Sequence, residues 1–125
     1  MSIETIDKGL IDYQESHQEM LDLVKSTSRK SQIWHLEHFP VYTIGISEKL
    51  IKEDDNQTIP IIKTDRGGKI TYHGPGQLVF YFMLDLKKMP FKPTDLTKKI
   101  LNKTSQVFDS FDLDHDLNLT DPGIY

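Results

Sequence analysis

A chain of 125 residues, with 15 Lys+Arg against 19 Asp+Glu and a net charge of −4, has the length of one domain built around one core. Its 37% hydrophobic and 27% charged residues argue against global disorder. No apolar run approaches the roughly 18 residues of a membrane span, and the start Met1-Ser2-Ile3-Glu4 is no basic-then-apolar leader. The acidic balance disfavours bulk attraction to nucleic acid. The expected setting is therefore the cytoplasm, with neither membrane nor nucleic acid as partner. There is no cysteine, which excludes disulfides, Cys-ligated zinc and a thiol nucleophile supplied by this chain.

Tyr13, His17, Met20, Leu21 and Val24 recur at helical spacing, opposite Glu15, Glu19, Asp22 and Lys25, and predict an amphipathic helix over 12–25. The polar stretch from Ser26 to Ser31 ends it. Two β-rich runs follow, Ile33 to Glu37 and Val41 to Ile44. Between them Pro40 removes an amide donor and biases Phe39 away from helix. The polar stretch from Glu48 to Thr58 reads as an exposed connection. Strands are expected over 59–63 and 69–72. The apolar run from Gln77 to Leu84 suggests a strand buried on both faces. Pro93-Thr94-Asp95 opens a second helix, with Thr94 as its cap and Asp95 at the positive end of its dipole. Leu96, Ile100, Leu101, Thr104, Val107, Phe108 and Phe111 mark its expected buried stripe. A strand over 117–119 and a turn at Asp121-Pro122-Gly123 complete the order, which predicts a mixed α/β (α+β) class with one central sheet and flanking helices. The sequence stops at Ile124-Tyr125, directly after a turn, which hints at a truncated domain.

The segment that carries chemistry is Arg66-Gly67-Gly68-Lys69-Ile70-Thr71-Tyr72-His73-Gly74-Pro75-Gly76-Gln77, with four glycines and a proline in twelve residues. Adjacent glycines let a ligand approach the main chain, and successive amides can form a nest for a carbonyl or developing oxyanion. Arg66 is one of two arginines among 15 basic residues, and its planar five-donor fork is not replaceable by lysine. On local physics alone the plainer reading is a hairpin, with Gly67-Gly68 as one turn and Gly74-Pro75-Gly76 as another.

This twelve-residue string, followed by an apolar strand with Tyr81, resembles the signature of octanoyl-[acyl-carrier-protein]:protein N-octanoyltransferases. Ile33-Trp34-x-x-Glu37-His38-x-Pro40-Val41-Tyr42-Thr43-x-Gly45 is similar to that family's early strand pair. Ile59-Pro60-Ile61 leads into the motif as in the family, and Asp121-Pro122-Gly123-Ile124-Tyr125 resembles its Pro-Gly-Val-Tyr/Trp strand entry. The resemblance implies a mixed α/β fold shared with lipoate and biotin protein ligases. It also implies movement of an octanoyl group from acyl-carrier protein to a lysine of lipoyl domains. The acceptors would be the 2-oxoacid dehydrogenase complexes and the glycine cleavage H protein, with no cofactor and no metal.

By the same resemblance, Arg66, Gly67, Gly68, Lys69, Ile70, Thr71, Tyr72 and His73 would bind substrate, with His73 beside the nucleophile as a possible auxiliary. The family's cysteine and its activating lysine fall beyond the position matching Tyr125. The resemblance therefore implies one octanoyltransferase-like domain over 1–125, C-terminally incomplete and inactive alone. Two further readings are a non-catalytic acyl- or partner-binding remnant and an ATP-dependent ligase. Ligases of that type carry Gly-Gly-Gly with His-Asp after it, unlike Thr71-Tyr72-His73-Gly74 here.

Other residues suggest plainer roles. His35 and His38, three apart on an extended segment, face opposite ways and make a poor metal pair. His38 is expected to pack against the pocket wall, and His17 and His115 to lie at the surface. Asp109, Asp112, Asp114 and Asp116 lack the glycine and terminal Glu of a calcium loop and read as a solvated helix end. Lys87, Lys88, Lys92, Lys98 and Lys99 read as a solvated face, with docking to an acidic carrier as the alternative.

Overall fold

The computed structural model describes residues 2–27, 30–48 and 58–125, so most of the connection read over 48–58 lies outside the described residues. The chain divides into two compact units, residues 1–85 and 86–125.

The first unit opens with β1 (Glu4–Ile11), which the hydrophobic pattern did not reveal. A bulge between Asp7 and Gly9 interrupts its pairing, and Gly9 takes a φ of 61° while donating its amide to Asp7 Oδ1 at 2.8 Å. That extra residue breaks the period of two on which a strand is recognised. Helix α1 (Tyr13–Lys25) follows. Asp12 is its N-cap, accepting the Glu15 amide at 3.1 Å. Replacing Asp12 with alanine orphans that donor and should cost about 1 kcal/mol, read as a lower midpoint in urea unfolding. The helix turns slightly differently than its apolar spacing suggests. Met20 and Leu23 pack against the core and Ser16 is fully buried, whereas Val24 is 48% exposed. A small residue at position 16 lets the helix sit close, and its hydroxyl is satisfied by Tyr13 O at 2.8 Å.

Strand β2 (Gln32–His38) lies parallel to β1, with Ile11 opposite His38, so β1, α1 and β2 form one crossover unit. Its alternation buries Trp34, Leu36 and His38 while His35 and Glu37 are half-exposed. Strand β3 (Val41–Ile44) begins beyond the Phe39-Pro40 break. Strands β4 (Ile61–Lys63), β5 (Ile70–His73) and β6 (Val79–Met83) complete this unit.

These strands do not join in one central sheet. They form two three-stranded sheets, ordered β1-β2-β6 and β4-β3-β5, each with one parallel and one antiparallel pairing. The chain passes from one sheet to the other at Phe39-Pro40, where the missing amide ends the ladder. Nor is β6 buried on both faces. It is an outer strand whose Val79, Tyr81 and Met83 pack against Ile11, Trp34 and Leu36, while Phe80 is 50% exposed.

The second unit begins with a short 3₁₀ turn at Leu86–Lys88. Pro93–Asp95 form another, so Thr94 lies inside that turn and no side chain caps α2 (Leu96–Ser110). The stripe expected along α2 is only partly covered, with Val107 50% and Phe111 71% exposed. Strands β7 (Leu117–Asn118) and β8 (Gly123–Ile124) pair antiparallel around a turn in which Asn118 Oδ1 accepts the Thr120 and Asp121 amides. His115 is not a free surface residue. Its Nδ1–H donates to Leu113 O at 2.7 Å, so its Nε2 accepts the Ser105 hydroxyl at 2.6 Å and ties the tail to α2.

Candidate active site

The glycine-rich segment starts in the loop between β4 and β5 and runs along β5, which places His73 at the strand's last position. The loop is folded onto the residues after β3. The amides of Gly45, Ile46 and Ser47 donate to Lys69 O at 3.0 Å, Arg66 O at 3.0 Å and Gly68 O at 3.3 Å. Gly68 has a φ of 95°, which only glycine adopts without strain.

Arg66 has a structural task that sequence reasoning missed. Its Nη2 donates to Thr43 O, Thr43 Oγ1 and Lys69 O, each at 2.8 Å. Its Nε reaches the same hydroxyl at 3.2 Å and Nη1 reaches Gly67 O at 2.9 Å. Thr43 is fully buried, so the guanidinium satisfies an inaccessible hydroxyl and holds both ends of the diglycine turn. The signal was present in the sequence: one of only two arginines, placed directly before Gly-Gly in a lysine-rich chain. Arg66 and His73 are half-buried, whereas Gly67, Gly68, Lys69, Ile70, Thr71 and Tyr72 are exposed. Tyr72 packs against Tyr42 on the neighbouring strand, with ring centroids 5.4 Å apart.

Around His73 lies a ring cluster drawn from four elements. Tyr13 of α1 stacks on it, centroids 6.4 Å apart and planes within 12°. His38 of β2 meets it edge-on at 5.8 Å, and Tyr81 of β6 meets His38 at 5.9 Å. His17 is also part of this stack rather than a bare surface residue, lying 6.1 Å from Tyr13 at an interplanar angle of 7°. Among these, Tyr13 and Tyr81 were not singled out as site residues. Their register is the signal: Tyr81 pairs with Trp34 and Tyr13 is the first residue of α1.

His38 is the buried centre. Its Nδ1–H donates to Ile11 O at 3.1 Å, because a carbonyl only accepts, and its Nε2 therefore accepts the Tyr81 hydroxyl at 2.9 Å. Burial, then the nearby His73, push its pKa below the usual histidine value, against the opposing pull of the Ile11 bond and Asp12. Burial, with Tyr13 beside it, pushes Tyr81 up to about 12. Tyr13 is also raised, chiefly by burial and against the pull of Arg66. At neutral pH His38, Tyr13 and Tyr81 are uncharged hydrogen-bonding rings. Below about pH 6.5, the ordinary histidine value, the unfolded chain takes up a proton at position 38 that the folded chain refuses. The contribution of His38 is thus complete above that pH and lost as pH falls through its lower folded value. Urea midpoints measured from pH 7.5 downward should decline, and less steeply in His38→Gln.

His35 projects to the other face, 6.1 Å from Phe80 and 3.8 Å from Asp7. Among the described residues, no group of three His, Asp or Glu converges on a metal position. No helix among them is long and apolar enough to cross a membrane. Asp109, Asp112, Asp114 and Asp116 are all exposed.

Residues 12–121 match the family described as the lipoyl protein ligase A/B catalytic domain, a span that holds Tyr13, His38, the whole glycine-rich segment and Tyr81. The chain belongs to this family. Its mixed sheets with helices are those of the lipoate and biotin ligase-like class. Curated relatives named octanoyltransferase are similar along most of its length. The protein of Nitrosomonas eutropha is 39% identical over 119 residues, 94% of this chain and 53% of the relative. That of Buchnera aphidicola subsp. Schizaphis graminum is 37% identical over 106 residues, 82% of this chain and 49% of the relative. That of Laribacter hongkongensis is 34% identical over 119 residues, 94% of this chain and 58% of the relative. The chain thus spans about half the length of these relatives.

Proposed function

We propose that residues 1–125 form part of an octanoyltransferase-like domain, carrying its acyl-binding segment without its nucleophile. The donor would be octanoyl-acyl-carrier protein and the acceptor a lysine of a lipoyl domain, from a 2-oxoacid dehydrogenase complex or the glycine cleavage H protein, in the cytoplasm. The observation that carries this reading is the Arg66-braced diglycine loop running into the His73 ring cluster, in a chain whose relatives are named octanoyltransferases. Gly67, with nothing within 4 Å of where a Cβ would sit, offers open main chain for an acyl carbonyl.

The reaction breaks the thioester C–S bond as a nucleophile adds to the carbonyl, and the carrier leaves as a thiol. A lysine amine then displaces that nucleophile, forming the amide and giving up its proton. Thioester exchange needs a nucleophile better than water, and this chain contains no cysteine. The absent thiol also favours a second reading, an acyl-binding chain without turnover.

Two measurements test the proposal. Titrating the labelled chain with octanoyl-acyl-carrier protein should shift the amide signals of Gly67, Gly68 and His73. No change at these positions would remove the site assignment. Incubation with the same donor and an apo lipoyl domain, followed by intact mass, should show no octanoylation above the enzyme-free rate. Loss of a nucleophile costs about six orders of magnitude in subtilisin. Acceptor octanoylation well above the control would mean that another residue takes the acyl group.

A further inference from the structure

Gln77 lies four residues after His73, across the Gly74-Pro75-Gly76 turn and outside the stretch assigned to substrate. Its Nε2 donates to Tyr72 O at 3.3 Å, and its Oε1 is hydrogen-bonded to His73 Nδ1. The first contact orients the amide. A main-chain carbonyl cannot donate, so the NH₂ group faces Tyr72 and the oxygen faces the imidazole. An amide oxygen only accepts, and His73 Nδ1 therefore carries the proton. In the neutral ring, Nε2 is left with its lone pair free.

The surroundings hold both partners in place. Gly76 donates its amide to the Glu37 carboxylate of β2, and the Gln77 amide donates to Gly74 O at 3.1 Å. Within the turn Gly74 is buried and closely packed, since a Cβ on it would lie 2.3 Å from the Tyr72 hydroxyl. On the imidazole side, Tyr13 stacks on one face and His38 meets it edge-on.

We infer that Gln77 is a positioning residue that fixes His73 as its Nδ1–H tautomer and so presents Nε2 as a hydrogen-bond acceptor. The group it would meet is an S–H or N–H donor at the acyl carbonyl, such as a thiol nucleophile or the acceptor lysine. That chemical use rests on the acyl-transfer reading, whereas the tautomer does not.

Long-range proton–nitrogen correlation on the ¹⁵N-labelled chain, above about pH 8 so that imidazoles are neutral, reads the tautomer directly. His73 Nδ1 should resonate at the protonated end of the imidazole range and Nε2 at the unprotonated end. Gln77→Leu removes the acceptor and should abolish this pattern. Gln77→Glu retains an accepting oxygen and should keep it. His38, whose Nδ1–H is held by Ile11 O, is the internal reference and should not move in either variant. If Gln77→Leu disturbs His38, Gln77→Ala takes its place against the same reference. A wild-type His73 in the Nε2–H form overturns the inference. So does a tautomer unchanged by loss of the acceptor, or one lost equally in the Glu variant. No acyl donor is present, so failure here is distinct from failure of the octanoyl-carrier titration.

Discussion

Gly45→Ala is expected to cost about 3 kcal/mol or more and to displace the diglycine loop, while Gly67→Ala at the loop itself costs well under 1 kcal/mol. A Cβ on Gly45 would lie 2.2 Å from Gly68 O, 2.7 Å from Gly68 C and 3.0 Å from Gly67 O. All three opponents are main-chain atoms, so no rotamer change relieves the overlap. The loop must retreat by about an ångström to reach ordinary contact. Retreat would stretch the three amide-to-carbonyl bonds from residues 45–47 and pull Lys69 O and Gly67 O away from the Arg66 fork. Gly68→Ala falls between the two, because its φ of 95° strains any side chain by about 1–2 kcal/mol. Urea unfolding of the three variants should rank them Gly45, Gly68, Gly67 in order of loss. Octanoyl-carrier titration should lose its response most completely in Gly45→Ala. A Gly45 variant as stable as the parent, with unchanged Gly67 and Gly68 amide signals, would show that the loop does not rest on the main chain at position 45.

That ranking also shows where sequence reasoning ran out. The glycine-rich string is legible as a special backbone, and the β-rich run over 41–44 predicts its neighbour strand β3 with the bounds the structure has. The partner that makes the string special, Gly45, lies more than twenty residues upstream, and nothing local ties the two together. Arg66 is similar. Its rarity marked it, but its fork closes on Thr43 and on the carbonyls of its own loop, contacts that exist only once β3 and β5 pair. Helix α1 was legible because its apolar residues recur at helical spacing, although the face it buries is slightly rotated, whereas β1 hid behind a bulge. The reading of one sheet failed because periodicity marks strands but not which neighbours they choose. The proline at position 40, read as a local break, is where the chain changes sheets.

His38→Ala should lower stability by about 3–5 kcal/mol, a loss in the range of large-to-small substitutions at fully buried sites. The ring is fully buried and touches Tyr13, His73 and Tyr81, so its removal leaves a void between α1, β2, β5 and β6. It also strips the Ile11 carbonyl and the Tyr81 hydroxyl of their partners, and each orphan accounts for about 1 kcal/mol of that loss. Two conservative variants separate these contributions. In His38→Asn the amide nitrogen falls close to the place of Nδ1 and can still donate to Ile11 O. In His38→Gln the longer amide reaches instead toward the Tyr81 hydroxyl. Each should recover about 1 kcal/mol relative to alanine, and neither restores the stacked ring. Neither carries a titrating group at position 38, so the acid-side decline attributed to His38 should vanish in both while the asparagine variant keeps the β1–β2 tie. Urea midpoints across pH for the four proteins read all of this at once. A His38→Ala loss below about 1 kcal/mol, or an acid decline undiminished in the amide variants, would mean that His38 is a bystander and that the cluster around His73 is held by its other rings.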